Sequence, residues 1–123
     1  MSNNQWQDVA VRFNGCINDR DIEGLATLMT DDHTFIDSGD NVIQGKSDAL
    51  QAWEGFFDSF PDYQNVFEKV ATRNETVTII GHSTCSDKRL HGPAIWTAKI
   101  IKSKVAEWRV YDDTPDIRQK LGV

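Results

Sequence analysis

Apolar residues recur at helical spacing from the start of the chain. Trp6, Val9, Phe13 and Cys16/Ile17 lie three or four apart and predict an amphipathic helix over residues 4–18. Asn18-Asp19-Arg20-Asp21 interrupts the pattern and offers capping side chains, after which Ile22, Leu25 and Leu28/Met29 mark a short second helix. Residues 34–37 read as a strand, Ser38-Gly39-Asp40-Asn41 as a turn, and Val42-Ile43 as a short returning strand. Behind Gly45 a third helix carries Ala49/Leu50, Trp53, Phe56/Phe57 and Phe60 on one face. Pro61 ends it, because the residue before a proline disfavours the α region.

From residue 63 the period changes. Residues 63–71, 76–84, 94–101 and 105–112 are rich in β-branched and aromatic side chains, with turns at Arg73-Asn74-Glu75, Ser86-Asp87-Lys88 and Lys102-Ser103. Thr114-Pro115-Asp116 opens a C-terminal helical turn that Gly122 closes. Three helices followed by an antiparallel meander predict an α+β domain, with the helices on one face of the sheet. A strongly twisted sheet curls, and the space between its concave face and the helices is a natural pocket.

Composition narrows the class. At 123 residues and 39% hydrophobic content, one domain over residues 1–123 is expected. A net charge of −6 argues against a nucleic-acid binder, since phosphate contact rests mainly on Lys and Arg. The densest basic group, Lys99, Lys102 and Lys104, is broken by isoleucines and a serine and reads as a strand end and turn. No run is long and apolar enough to span a membrane, and Met-Ser-Asn-Asn-Gln lacks the regions of a signal peptide. Cys16 and Cys85 have no metal-ligand spacing and read as reduced thiols, so a cytoplasmic location is expected.

Candidate chemistry starts with Asp37. Phe35 and Asp37 share one face of the short strand. If that face looks inward, a carboxylate stands beside an aromatic ring, where it is either paired or raised in pKa and useful as a base. The competing reading is an Asx-type turn, with Asp37 accepting amides of the following residues. On the last strand, alternation puts Ala106, Trp108, Val110 and Asp112 on one mostly apolar face and turns Asp113 outward. His82 shares a face with Thr78, Ile80 and Thr84, and is a candidate proton-shuttle partner for Asp37 or Asp112. His33 falls in a helix-to-strand junction and His91 in a loop, and three isolated histidines make no metal site. Phe13, Phe35, Trp53, Phe57, Trp96 and Trp108 are core residues first, and the candidates to line an apolar pocket for a flat hydrophobic ligand.

The order of elements, together with Asp21-Ile22-Glu23-Gly24-Leu25, residues 31–37, Gly45-Lys46, Phe60-Pro61-Asp62 and the final run 105–112, resembles the SnoaL-like proteins of the nuclear-transport-factor-2-like superfamily. The resemblance spans nearly the whole chain. It implies the cone-shaped, cystatin-like α+β roll, with three N-terminal helices on a curved, mainly antiparallel sheet. The fold hosts isomerases, cyclases, dehydratases, hydrolases and binding modules, so it does not name a reaction. By position, Asp37 matches the general base of the ketosteroid-isomerase branch, and Asp112 resembles the acid/base aspartate of the polyketide-cyclase branch. Phe13 stands where the isomerase branch has a tyrosine donor, and no acid stands near Ile95-Trp96-Thr97. Losing one such donor removes on the order of 3 kcal/mol of transition-state stabilisation.

The resemblance thus implies a cofactor-free isomerase, cyclase or lyase acting on a hydrophobic carbonyl compound. The alternative is a ligand-binding or dimerisation module of the same fold. It also implies a homodimer through the outer sheet face, with Thr97, Lys99, Glu107 and Arg109 as exposed alternates.

Overall fold

The computed structural model describes residues 3–123. Three helices come first or are interleaved with short strands: α1 (Asn3–Asp19), α2 (Ile22–Leu28), β1 (Met29–Ile36), β2 (Val42–Gln44) and α3 (Lys46–Ser59). Four longer strands follow, β3 (Gln64–Arg73), β4 (Thr76–Thr84), β5 (Gly92–Ile101) and β6 (Lys104–Asp112), and then α4 (Pro115–Leu121). A single 3₁₀ turn, Lys88–Leu90, lies between β4 and β5.

The local chemistry of the junctions explains the breaks. Asp21 caps α2, its Oδ1 accepting the Gly24 amide at 2.9 Å. Arg20 sits at φ 57° between α1 and α2. Its guanidinium donates to the Asn18 carbonyl at 2.7 Å and to the Phe60 and Pro61 carbonyls at 3.2 and 2.7 Å, so it ties the end of α3 to the end of α1. Thr114 caps α4, Pro115 fills its first turn, and Gly122 at φ 73° provides the left-handed C-cap.

The strands form one sheet in the order β2-β1-β6-β5-β4-β3. Every pairing is antiparallel except β1 with β6, which is parallel. The long chain between these two strands, through α3 and the β3–β5 meander, allows the parallel crossover. β1 starts at Met29, earlier than the apolar pattern of residues 34–37 predicts, because Thr30, Asp31 and Asp32 carry no apolar signal. Its ladder with β6 is interrupted: Met29 pairs with Val105 and Thr34 with Glu107, so residues 30–33 of β1 stand opposite Ala106 alone.

A second irregularity bends the far edge. The β3–β4 register shifts between Phe67 and Lys69, and Phe67 there faces Gly81. A Cβ on Gly81 would collide with the Val66 carbonyl oxygen, so only glycine allows this close approach. The outer edge of β3 is partly closed by α1, where Asn18 Oδ1 accepts the Asn65 amide at 2.8 Å and Asn18 Nδ2 donates to the Asn65 carbonyl at 3.0 Å.

All three N-terminal helices pack on one face of the sheet. Val9, Ala10, Phe13 and Ile17 of α1 are fully buried, with Trp96 and Trp108 opposite them, equally buried. Phe13 lies 4.8 Å from Trp108 and Phe67 lies 5.4 Å from Trp96, centroid to centroid. Each buried tryptophan removes roughly 200 Å² from water, an upper estimate of about 5 kcal/mol of transfer energy. No helix among the described residues is long and apolar enough to cross a membrane.

The opposite face is not uniformly open. Thr97, expected as an exposed alternate, is buried, as is its neighbour Ile95. The chain end turns back over this face: Thr76, Thr78 and Thr97 line one shallow groove together with Lys120, Leu121 and Val123. Lys99 remains exposed beside Glu107 at 4.0 Å, and Arg109 holds Asp40 at 2.7 Å.

Candidate functional site

A cavity of about 270 Å³ lies between α3 and the concave face of the sheet. From α3, Ala49, Ala52, Trp53 and Phe56 turn toward it at spacings of three and four, the helical repeat that aims one stripe at the sheet. From the sheet, Phe35, Trp96, Trp108 and Val110 form the opposite wall. Ile43 and Leu90 add apolar surface from β2 and from the loop before β5. Trp53 is the joint of the wall, with Phe35, Phe56 and Phe57 at 5.4, 5.7 and 5.6 Å.

Polar groups reach the cavity at two places. At one, Tyr63 and Asn65 enter from the start of β3. They belong to a buried chain of hydrogen bonds: the Tyr63 hydroxyl is 3.1 Å from Ser83 Oγ, Ser83 Oγ donates to Asn65 Oδ1 at 2.9 Å, and Asn65 Nδ2 donates to Asn14 Oδ1 at 3.1 Å. Since Ser83 has one proton and gives it to Asn65, Tyr63 is the donor to Ser83. Burial raises the Tyr63 pKa above that of an ordinary phenol, against the lowering effect of Ser83 and Asn65, so the hydroxyl stays neutral.

At the other place stand Asp37 and Ser38. Asp37 lines the cavity, and its carboxylate is also the centre of the β1–β2 turn. Oδ1 accepts the amides of Gly39 and Asn41, both at 2.9 Å, and Oδ2 accepts Asn41 Nδ2 at 3.0 Å. Partial burial works to raise its pKa, but the bonds from the Asn41 amide, the Asn41 side chain and Gly39 prevail and hold it below the usual value. A raised-pKa base is therefore not what this carboxylate is; both the cavity position and the Asx-type turn coexist in one residue.

Three tryptophan rings complete the wall. Trp53, Trp96 and Trp108 line the cavity, and the Nε1–H of each is buried without a hydrogen-bond acceptor. A buried donor left unpaired costs about 1–3 kcal/mol, a cost these indoles carry inside the packed core.

Other residues singled out from sequence fall elsewhere. His82 turns away from the cavity, because the face of β4 that meets the helices is Val77, Ile79, Gly81 and Ser83. Its Nδ1 instead meets Glu68 Oε1 at 2.9 Å on the outer face, 41% of the side chain being exposed. The shuttle role with Asp37 or Asp112 is thereby removed. Asp112 is exposed at the end of β6 and is not part of the cavity wall. Asp113, expected to point out, is the more enclosed of the two and receives Arg118 at 2.7 and 2.9 Å. The strand ends at Asp112, so alternation no longer governs the next residue. Phe13 lies behind Trp108 and supports it without lining the cavity, and Phe57 faces a shallow groove with Arg20 and Pro61.

Sequence reasoning missed the Tyr63–Ser83–Asn65–Asn14 chain. Its signal was present in part: Tyr63, Asn65 and Phe67 alternate along β3, and Asn14 sits on the apolar stripe of α1 four residues after Ala10. Among the described residues no group of three or more His, Cys, Asp or Glu side chains could hold a metal.

Solved structures with this architecture are numerous. A candidate polyketide cyclase from Sinorhizobium meliloti superposes with a TM-score of 0.77 at 13% identity, covering 84% of this chain and 93% of that one. A candidate SnoaL-like polyketide cyclase from Shewanella putrefaciens gives 0.77 at 19% identity, covering 96% and 86%. A candidate ketosteroid isomerase from Kribbella flavida gives 0.75 at 18% identity, covering 97% and 88%. At such identities the likeness shows a shared fold and no shared reaction. No curated protein matches the sequence. The sequence model of the SnoaL-like domain matches residues 10–113, from the first helix to the end of the last strand, and the chain belongs to that family.

Proposed function

We propose that this chain holds a small, flat hydrophobic carbonyl compound in the cavity beneath α3. The observation that carries the reading is the cavity itself: an aromatic-walled space of about 270 Å³ with polar groups confined to Tyr63/Asn65 and Asp37/Ser38. That volume is just below the range typical of drug-sized ligands, which fits a one- or two-ring compound. Solved proteins of this fold named as polyketide cyclases and ketosteroid isomerases are in keeping with a ligand of this kind.

Binding without chemistry is the first reading, because the Asp37 carboxylate is held ionised by three turn hydrogen bonds and is correspondingly weak as a base. Acid–base catalysis is the second, favoured by one observation: Asp37 lines the same cavity, with lone-pair capacity left on Oδ2. A homodimer through the outer sheet face belongs to either reading, now resting on Lys99, Glu107 and Arg109 without Thr97.

One experiment separates the two readings. 1-Indanone is added to the protein in D2O, and melting temperature and exchange of its α-protons are followed. A raised melting temperature without faster exchange supports a binding protein. Faster exchange that disappears in Asp37→Asn supports the enzyme. No change in either quantity sinks both.

A further inference from the structure

Charge is distributed unevenly around the cavity and, on the reading of the cavity as a ligand site, that distribution orients the ligand. Asp37 is the one residue of the lining that carries a formal charge at neutral pH. The bonds from Gly39 and Asn41 hold its carboxylate ionised. Oδ1 takes two of the three, whereas Oδ2 takes only Asn41 Nδ2 and keeps room for a further donor. No cation among the described residues supplies that donor. Arg109, on the strand beside β1, is spent at 2.7 Å on Asp40, the other aspartate of the same turn. Asp37 itself forms no ion pair among the described residues. It is half-buried and Ser38 beside it is exposed, so the charge stands at the open rim of the cavity. Phe35, two residues earlier on the same face, is also in the lining and half-buried.

We propose that the ligand is a cationic amine: its carbonyl-bearing ring system fills the aromatic cavity, and a protonated nitrogen remains at the rim and donates to Asp37 Oδ2. A ligand that covers the rim takes water from an ionised carboxylate. A neutral apolar end leaves that charge without compensation, and an anionic end is repelled by it. An ammonium replaces the lost water with a charge-assisted hydrogen bond. The Phe35 ring adds a second attraction for a cation and none for an anion. At an open rim the ammonium stays partly hydrated, so its own desolvation costs little. The walls farther in, from Trp53, Phe56, Trp96 and Trp108, offer apolar surface for the rings.

The test compares 5-(aminomethyl)indan-1-one, protonated at pH 7, with 5-ethylindan-1-one, which has the same shape with a methyl group in place of the ammonium. Calorimetry at low ionic strength gives the affinities, and the 13C carboxyl resonance gives the Asp37 pKa in each complex. The ammonium compound is expected to bind about three- to tenfold tighter, an advantage that shrinks as salt is added. Its binding is expected to lower the Asp37 pKa further, whereas the ethyl compound raises it by removing water. Asp37→Asn, which keeps an oxygen for the turn amides and removes the charge, is expected to abolish the advantage. Equal affinities, or an advantage that survives in Asp37→Asn, overturn the cationic-ligand proposal and leave the cavity standing as a ligand site. Binding of neither compound overturns the ligand-site reading as well.

Discussion

His33 Nδ1 lies 2.7 Å from the Val105 carbonyl oxygen, across the gap where the β1–β6 ladder is interrupted. A carbonyl can only accept, so Nδ1 carries the proton and the imidazole supplies the hydrogen bond that the missing ladder rung would have made. The ring is fully buried, 5.7 Å from Phe13, and its Nε2 has no partner.

That arrangement is a pH-dependent one. Burial lowers the His33 pKa from 6.5, against the raising effects of the Val105 carbonyl and Asp32. As pH falls, the unfolded chain therefore takes up the proton before the folded one. The stabilisation is complete above about pH 6.5 and declines as pH drops below it, toward the folded-state pKa. His33→Asn, which keeps a donor near Nδ1, is expected to cost about 1–3 kcal/mol at pH 7.5 and to flatten this part of the pH profile. Urea unfolding of both proteins at pH 7.5 and 5.5 checks it; parallel profiles would remove His33 as the source.

Asp37 predicts a loss in the same direction, on acidification, in a lower window. Its folded-state pKa lies below 3.8, so its contribution is present above that value and is lost as pH falls through the folded-state pKa. In Asp37→Ala the Gly39 and Asn41 amides lose their acceptor, and a cost of about 1 kcal/mol is expected for this partly solvated turn. Asp37→Asn keeps an oxygen for the amides and is expected to cost less. Denaturation midpoints at pH 7 rank the three proteins; an Asp37→Ala chain as stable as the parent would show that the turn does not need the carboxylate.

The buried chain from Tyr63 to Asn14 predicts coupling. Ser83→Ala leaves the Tyr63 hydroxyl and Asn65 Oδ1 without their shared partner, and is expected to destabilise by about 1–3 kcal/mol. Tyr63→Phe in that background is expected to cost less than it does alone, with a coupling energy of about 0.5–3 kcal/mol. A double-mutant cycle in urea measures it, and strict additivity would contradict the hydrogen-bonded chain.

Two glycines should respond oppositely to alanine. At Gly81 the added methyl meets the Val66 carbonyl, and a loss of about 3 kcal/mol is expected. At Gly55, exposed within α3 with open space around it, a gain of about 0.5–1 kcal/mol is expected from helix propensity. Thermal melts of the two variants decide, and a tolerated Gly81→Ala would mean that the β3–β4 bulge can relax.

The local elements were legible in the sequence because their causes are local. The 3.6-residue repeat of Val9, Phe13 and Ile17, the capping chemistry at Asp21 and Thr114, the stop at Pro61 and the turn-forming run after Asp37 each act within a few residues. Even the Asx-type engagement of Asp37 could be read from Ser38-Gly39-Asp40-Asn41. What only the tertiary structure decided was which face of each strand meets the helices. Period-two alternation on β4 gives two plausible faces, and pairing with β3 and β5 put Ser83 inward and His82 outward. The parallel β1–β6 contact, the bulges and the end of β6 at Asp112 likewise depend on residues far apart in the chain. The cavity inherits that dependence: Trp53, Trp96 and Trp108 lie on three different elements and Tyr63 in the turn before β3, and nothing in their spacing along the chain brings them to one cavity.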